Sequence, residues 1–137
     1  MRYTSFLGVL AEGLGRAGQT AQGIAAIDEA LGTSERHEER WCMAELLRIK
    51  GGLVLMEGAI HAATMAEDYF RQALDWARRQ GTLSWELRAA TSLARLWRDQ
   101  GRTEEAQQLL APIYDRFTEG LETADVRAAR ALIDELR

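Results

Sequence analysis

The sequence predicts an all-α protein, a right-handed α–α superhelix of three helix hairpins followed by a capping helix at the C-terminal end. The first observation behind this prediction is the stretch 87–114, which has the apolar spacing of two antiparallel helices that meet at Gly101. Small residues stand where two helix backbones must approach closely, and larger ones fill the space beside them. The facing stripes of this hairpin are Leu93, Ala94 and Trp97 on one helix and Ala106, Leu110 and Ile113 on the other.

The second observation is that the same skeleton occurs three times. A small residue, a large apolar residue and a turn glycine are followed by three apolar or small positions on a second helix. The three copies of this skeleton are Ala11, Leu14, Gly18, Gly23, Ile27 and Ala30; Gly51, Val54, Gly58, Ala66, Phe70 and Ala73; and Ala94, Trp97, Gly101, Ala106, Leu110 and Ile113. One hairpin cannot bury its apolar faces alone, so the copies are expected to stack. We therefore predict a single domain over 1–137, with repeats at about 2–31, 35–80 and 83–117.

The first copy is predicted to contain helices over 2–17 and 19–31. Gly18 lies between them in the position of a left-handed cap, and Gly32 is expected to end the second helix. Thr33 and Ser34 would then cap the next helix. Because the chain begins inside the first helix, we expect that end to be covered by a partner or by more of a longer protein.

The remaining helices are predicted over 35–56, 62–80, 84–100, 103–117 and 123–136. The Gly51-Gly52 pair lowers helix propensity by about 1 kcal/mol per glycine, so we expect a neighbouring helix to pack closely there. Pro112 should bend the sixth helix. The last helix begins with Thr123 as its N-cap and has a polar outer side, as a cap on a repeat stack requires. Across the stack, Val54, Phe70, Trp97 and Leu110 should share one continuous apolar core.

Composition excludes several classes of protein. A formal net charge of −4 and a pI near 5.3 argue against a nucleic-acid binder, because phosphate contacts need clustered Lys and Arg. No apolar run approaches the roughly 18 residues that a membrane span requires. The N-terminal sequence resembles a helix more than a signal peptide, and a single cysteine fits a reducing compartment. We therefore expect a cytoplasmic protein that binds neither nucleic acid nor membranes.

Motifs for chemistry are weak, and each has a structural explanation. The letters of Gly13-Leu-Gly15-Arg-Ala-Gly18 match a dinucleotide-binding motif, but the preceding residues have helical rather than strand spacing. His37-Glu38 lacks the second histidine of a zinc helix, and Cys42 has no partner cysteine. Paired carboxylates stand at helix starts, where solvated acids are common. We therefore expect no enzyme activity, no catalytic residues, no cofactor and no metal.

The repeats resemble the tetratricopeptide repeat (TPR), whose helices carry the same small, aromatic and glycine positions. The runs ERWCMAELLRIKGGLVL and AEDYFRQALDWAR, with the ending LLAPIYDRFTEGLETADVRAARALIDEL, resemble more specifically the C-terminal repeats of large bacterial signalling proteins. In those proteins the repeats follow an NTPase and a nucleotide-cyclase or DNA-binding domain. The resemblance covers the repeat region alone, so neither of those activities is implied for this chain.

The resemblance also implies a binding surface, because the first helix of each TPR lines a concave groove. The groove positions that this implies are Glu12, Arg16, Glu45, Arg48, Leu55, Met56, Arg88, Arg95, Arg98 and Asp99. Their five arginines would concentrate positive charge on an otherwise acidic chain, and arginine forks suit carboxylates. An acidic helix or peptide is therefore the expected guest.

These features predict a protein–protein interaction scaffold, with the partner a protein, a peptide or another domain of a parent chain. Two alternatives stay open. The first is self-association, in which the uncapped first helix packs on a second copy, giving a homo-oligomer whose size depends on concentration. The second is a small-ligand binder or an enzyme with a pocket in the groove, which a bound metal or cofactor in purified protein would favour.

Overall fold

The computed structural model describes residues 11–36 and 42–137, and within them it contains helices and turns without any strand. The all-α prediction is therefore confirmed for the described part. Residues 11–16 are helical and belong to the first helix, which we label α1. The other helices are α2 (Thr20–Arg36), α3 (Met43–Glu57), α4 (Ala62–Gln80), α5 (Leu83–Asp99), α6 (Thr103–Tyr114) and α7 (Ala124–Leu136).

The three predicted turn glycines lie between the paired helices in the left-handed backbone region. Gly18, Gly58 and Gly101 have φ angles of 83°, 69° and 79°. This conformation costs glycine little because it has no Cβ. At Gly101 the following residue closes the turn, since the Arg102 N–H donates to the Trp97 carbonyl over 2.7 Å. The hairpin turns are thus as the sequence predicted.

The predicted helix bounds agree closely from α4 onward. The bounds of α4 are those expected, α5 begins one residue early, and α6 ends at Tyr114 rather than Phe117 with Pro112 inside it. Thr123 caps α7 as predicted, because its hydroxyl accepts a hydrogen bond from the Val126 N–H over 3.4 Å.

The junction between α2 and α3 differs from the prediction. Helix α2 continues through Gly32 to Arg36, and α3 begins at Met43, so the predicted stop at Gly32 and the predicted start at Glu35 are both wrong. A glycine in a helix interior costs only about 1 kcal/mol, which does not end a helix that packing supports. Residues 2–10 and 37–41, including His37, lie outside the described residues.

The helices pack in chain order, and alternate helices also meet. Each described helix from α2 to α7 contacts the next one extensively, while α3 also contacts α5 and α5 also contacts α7. A Glu12–Arg48 ion pair of 3.3 Å connects α1 to α3 in the same way. The odd-numbered helices therefore lie side by side along one surface, which we call the odd-helix face.

The expected core residues are buried, but the core is divided. Val54, Phe70, Trp97 and Leu110 are all at most 7% exposed. Of these, Phe70, Trp97 and Leu110 belong to a cluster that extends from α3 to α7. A second cluster joins α1, α2 and the other side of α3, and Val54 belongs to neither. The described core therefore consists of two clusters that meet on α3 and at Leu31 of α2, which packs against both, where one continuous core was expected.

Candidate functional site

Two adjoining cavities open on the odd-helix face, and together they form what we call the groove. Their volumes are about 260 and 210 Å³. Both are lined by Glu12, Arg16, Arg48, Ser92 and Arg95. The first cavity continues over Arg88, Thr91, Ala124, Asp125 and Ala128, and the second over Ile49, Gly52, Leu53 and Met56. The groove thus has a polar part next to α7 and a more apolar part on α3.

Arg48 of α3 is the central ion-pairing residue of the groove. Its guanidinium lies 2.9 Å from Glu45 Oε2 and 3.3 Å from Glu12 Oε2, and its side chain is only 15% exposed. Burial by itself would lower the pKa of Arg48, but the hydrogen bonds and charges of Glu45 and Glu12 raise it above the usual value. Arg48 therefore stays charged, and two carboxylates neutralise it within the chain.

Arg88 of α5 continues the same pattern toward α7. Its Nη1 lies 3.0 Å from Glu45 Oε2, and its Nε lies 3.5 Å from Asp125 Oδ1. Alternating charges therefore cross the face from α1 to α3, α5 and α7. We call this set, Glu12, Arg48, Glu45, Arg88 and Asp125, the ion-pair ladder. It joins four helices and neutralises Arg48 and Arg88, two of the five arginines that the sequence suggested for the groove.

Two groove arginines are exposed and are little neutralised by carboxylates of the described residues. Arg16 is 75% exposed at its side chain and lies 3.7 Å from Glu12, which Arg48 shares. Arg95 is exposed, and within the part of the chain that the structure describes no carboxylate lies within ion-pair distance of it. Both line the two cavities, Arg16 from α1 and Arg95 from α5. These are the groups that an incoming anion would meet.

Some predicted groove residues lie elsewhere. Leu55 packs against the α3–α7 core cluster instead of lining either cavity. Arg98 pairs with Glu135 of α7 at 2.6 Å and with its neighbour Asp99 at 3.1 Å, outside the groove. Leu55, Arg98 and Asp99 were predicted to line a binding groove, and none of them lines either of these two cavities. Helix α3 carries apolar residues on two sides, so the sequence pattern does not show which side faces the groove.

Sequence reasoning missed the contribution of α7. Asp125 closes the ion-pair ladder, and Ala124 and Ala128 line the first cavity. The pattern of 123–136 predicts a capping helix, and a cap gives no reason to place its residues in the groove. An acidic residue in the first turn of α7 and two small residues beside it were the available signal.

A second polar cluster surrounds Trp97 away from the groove cavities. The Trp97 Nε1–H donates to Glu67 Oε1 over 3.1 Å, and the guanidinium groups of Arg71 and Arg102 lie 5.3 and 4.6 Å from the ring centroid. Both arginines also pair with Glu67. We call Glu67, Arg71 and Arg102 the Trp97 collar. Its internal pairing indicates a structural role, as cation–π contacts with a satisfied indole N–H commonly have.

Burial of Glu67 by itself would raise its pKa, but the hydrogen bonds from Trp97 and Arg71 and the arginine charges lower it below the usual value. The carboxylate is thus held ionised where it receives donors from α4, α5 and the turn before α6. The collar therefore connects three parts of the chain through one charged group.

The residues considered for chemistry are dispersed. Gly13 and Gly15 lie in α1 and Gly18 in the turn after it, and the described residues directly before Gly13 are helical, whereas dinucleotide binding requires a strand there. His61 is exposed at the start of α4, and Cys42 is buried before α3. Among the described residues there is no group of three or more His, Cys, Asp or Glu side chains placed to hold a metal ion. None of the described helices has the length and apolar character needed to cross a membrane.

Comparison of the chain with protein-family models, with curated proteins and with solved structures found no match in any of the three. The function is therefore inferred from the groove itself. What its geometry offers is a concave surface with two accessible arginines beside an apolar floor.

Proposed function

We propose that this chain is a protein–protein interaction scaffold that holds a segment of a partner protein in the groove. The observation that carries the proposal is that both cavities are lined by at least three odd-numbered helices and share Arg16 and Arg95, the two groove arginines that are least neutralised. A surface built from rigid helices positions contacts more reproducibly than loops do. A pre-formed groove also lowers the entropy cost of binding.

The helix arrangement that we propose is that of a TPR-like superhelix. Its support is the contact between alternate helices, together with left-handed glycine turns that recur at Gly18, Gly58 and Gly101. In such a stack the first helices of successive hairpins line one surface. The groove would then be the concave side of the superhelix.

The chemistry of the groove favours an acidic partner segment that also carries an apolar residue. Four arginines line the first cavity. Among its described lining residues only Glu12 and Asp125 carry a carboxylate. The second cavity adds Ile49, Leu53 and Met56, of which Met56 is 56% exposed. A carboxylate of the guest would bind between Arg16 and Arg95, and an adjacent apolar side chain would cover Met56.

The test is a selection of random peptides from a display library on the purified chain, followed by binding measurements with the selected peptides. We expect enrichment of Asp and Glu next to Leu, Ile or Met. Arg95→Glu should weaken binding roughly tenfold, because an attractive contact becomes repulsive. The matched control is Arg127→Glu, an equal charge change at an exposed residue of α7 that does not line either cavity.

Equal binding by Arg95→Glu, Arg127→Glu and the unaltered chain would reject the groove as the binding site. Selection of neutral or basic peptides would reject the acidic partner. Circular dichroism of each variant should show unchanged helicity, since Arg95 is exposed and makes no ion pair with the described residues.

On the resemblance of the repeat sequences, we further propose that the scaffold is the regulatory or sensory module of a bacterial signalling protein in the cytoplasm. The parent protein or a neighbouring gene would then encode an NTPase with a nucleotide-cyclase or DNA-binding domain. A genomic neighbourhood without any such domain would count against this assignment.

Self-association is a second candidate function. Met56, Ile60 and Met65 lie around the α3–α4 turn and are 56%, 84% and 45% exposed. Exposed apolar side chains that are close together in the chain favour a protein contact. Light scattering over a wide concentration range tests it, and a monomer throughout would reject self-association.

A further inference from the structure

The connection between α6 and α7 has the composition that the groove favours in a guest. Residues 118–123, which we call the acidic loop, have the sequence TEGLET, with one leucine between two glutamates. Leu121 is 49% exposed, and Glu119 and Glu122 are exposed as well. Of the basic groups that the structure describes, none lies within ion-pair distance of either glutamate. The charged and apolar side chains of the acidic loop are therefore accessible to another molecule.

Backbone hydrogen bonding holds the acidic loop in a defined turn. The Thr123 N–H donates to the Gly120 carbonyl over 3.2 Å, which places Leu121 and Glu122 at the two central positions of the turn. Thr123 is also the N-cap of α7, so the helix that follows fixes the end of the turn. A pre-formed turn loses less entropy on binding than a flexible loop does.

The acidic loop and the groove are complementary in charge and in apolar surface. The groove presents Arg16 and Arg95, the two arginines that carboxylates of the described residues neutralise least, beside the exposed Met56. Arginine forks suit the two carboxylates of the loop, and contact of Leu121 with Met56 would remove apolar surface of both from water. None of the described residues that line the two cavities belongs to the acidic loop of the same chain. The loop and the groove can thus meet between two molecules.

The acidic loop lies next to the groove in its own chain. The loop ends at Thr123, and the next two residues, Ala124 and Asp125, line the first cavity. A surface that carries a site and a matching guest side by side can pair with a copy of itself about a two-fold axis, because each loop then reaches the groove of the other copy. Such an interface closes after two copies.

We propose that the groove binds the acidic loop of a second copy of this chain, and that two copies exchange their loops in a two-fold dimer. The glutamates of each loop pair with Arg16 and Arg95 of the other copy, and Leu121 packs on Met56. Six residues per exchange make a small interface, so the dimer is weak and its population depends on concentration. This contact rests on the proposed function, because it uses the same groove.

Sedimentation velocity of the purified chain over a wide concentration range tests the dimer. We expect a monomer–dimer equilibrium without larger species. Reversing the loop charges with Glu119→Lys and Glu122→Lys should weaken the dimer roughly tenfold, because attractive contacts become repulsive. Reversing the groove charges with Arg16→Glu and Arg95→Glu should do the same. All four substitutions together should restore the dimer, since opposite charges face each other again, and a misfolded variant would not be rescued in this way.

Two controls separate the loop–groove contact from general effects. Asp75→Lys with Glu104→Lys makes the same change of net charge as the loop variant, at exposed residues of α4 and α6 that line neither cavity, and should leave the dimer unchanged. Ile60→Ser alters an 84% exposed side chain of the α3–α4 turn and should also have no effect. Loss of the dimer in either control would overturn the proposal, as would a chain that stays monomeric at every concentration or assembles beyond two copies.

The peptides from the display selection distinguish failure of the dimer from failure of the proposed function. If they bind in the groove while the chain stays monomeric, the proposed function stands and a second copy is not the guest. If no peptide binds in the groove and the dimer survives both charge reversals, the proposed function and the loop exchange both fail. A dimer that both reversals weaken, without any selected peptide, would support loop exchange and limit the scaffold to self-association.

Discussion

The helices pack differently around α3 and around Trp97. On α3, glycines remove side-chain volume. Leu53 fits against Gly15 and Gly23 of the preceding hairpin, and Gly51 lies against the Phe70 ring. Around Trp97, the large indole ring fills the space, and charged side chains surround it. Glu67 accepts a hydrogen bond from the indole N–H, and two arginines lie over the ring. The first arrangement depends on shape, and the second also depends on ionisation.

The difference teaches that neighbouring helix interfaces in one chain need not respond alike to substitution or to a change of pH. An interface held by shape should be sensitive to volume and indifferent to pH. An interface held by a charged collar should tolerate small changes of side-chain volume and should lose stability as the pH falls. Three tests, which use four substitutions and their controls, separate the two kinds of interface.

The largest effect is expected from Leu53→Ala. Leu53 is 2% exposed, and its removal leaves a cavity beside two glycines that have no side chains to fill it. We expect a loss of about 3 kcal/mol in the free energy of unfolding, measured by urea denaturation. Leu121→Ala, at a side chain that is 49% exposed, should change it by no more than about 0.5 kcal/mol. Similar losses for the two variants would show that Leu53 is not a close-packed contact.

Substitution of Gly51 and Gly52 by alanine should give smaller effects on the free energy of unfolding, and the two effects should have opposite signs. A Cβ at Gly51 would lie 2.5 Å from Phe70 Cε1, whereas a Cβ at Gly52 would have no described neighbour within 4 Å beyond its own helix backbone. Gly52→Ala should raise the free energy of unfolding by about 1 kcal/mol through helix propensity. Gly51→Ala should lower it by about 1 kcal/mol, because overpacking exceeds the same gain. Thermal unfolding would contradict this if both variants melted at the same temperature.

The smallest effect is expected from Glu67→Gln, and it depends on pH. The folded-state pKa of Glu67 is lowered, so its ionised form stabilises the fold above the unfolded-state pKa of about 4.3. This stabilisation is lost as pH falls below that value through the folded-state pKa. Near neutral pH we expect a loss of about 1 kcal/mol in Glu67→Gln.

Between about pH 6 and pH 3 the unaltered chain should therefore lose more stability than Glu67→Gln. Asp68→Asn is the control, since Asp68 accepts from Gln72 rather than from an arginine. Parallel pH profiles for the unaltered chain and Glu67→Gln would contradict the role assigned to the collar.

Local signals in the sequence predicted much of the fold. Left-handed glycines and small residues at fixed spacing located the turns and the bounds of α4. The junction before α3 was mispredicted because Glu35 and Arg36 suit the end of one helix as well as the start of the next. The free-energy preferences of Gly32 and Ser34 are too small to determine whether one helix ends or the next helix begins at these residues.

The candidate groove could be predicted in part. Helical periodicity placed Arg16, Arg48 and Arg95 on helices that turned out to be neighbours. The ion pairs Glu12–Arg48 and Arg88–Asp125 each join residues 36 or 37 positions apart, and no local pattern encodes them. Arg98 differs from Arg95 mainly in having Glu135 of α7 within reach.

The open space at Gly52 makes it a practical attachment point for a spectroscopic reporter. Gly52 borders the second cavity, and a Cβ introduced there would meet no neighbouring atom of the described residues within 4 Å, apart from its own helix backbone. The native thiol of Cys42 is buried, so a dye applied to Gly52→Cys would react at the new position first. Its fluorescence would then report directly whether the groove is occupied, before any partner has been identified.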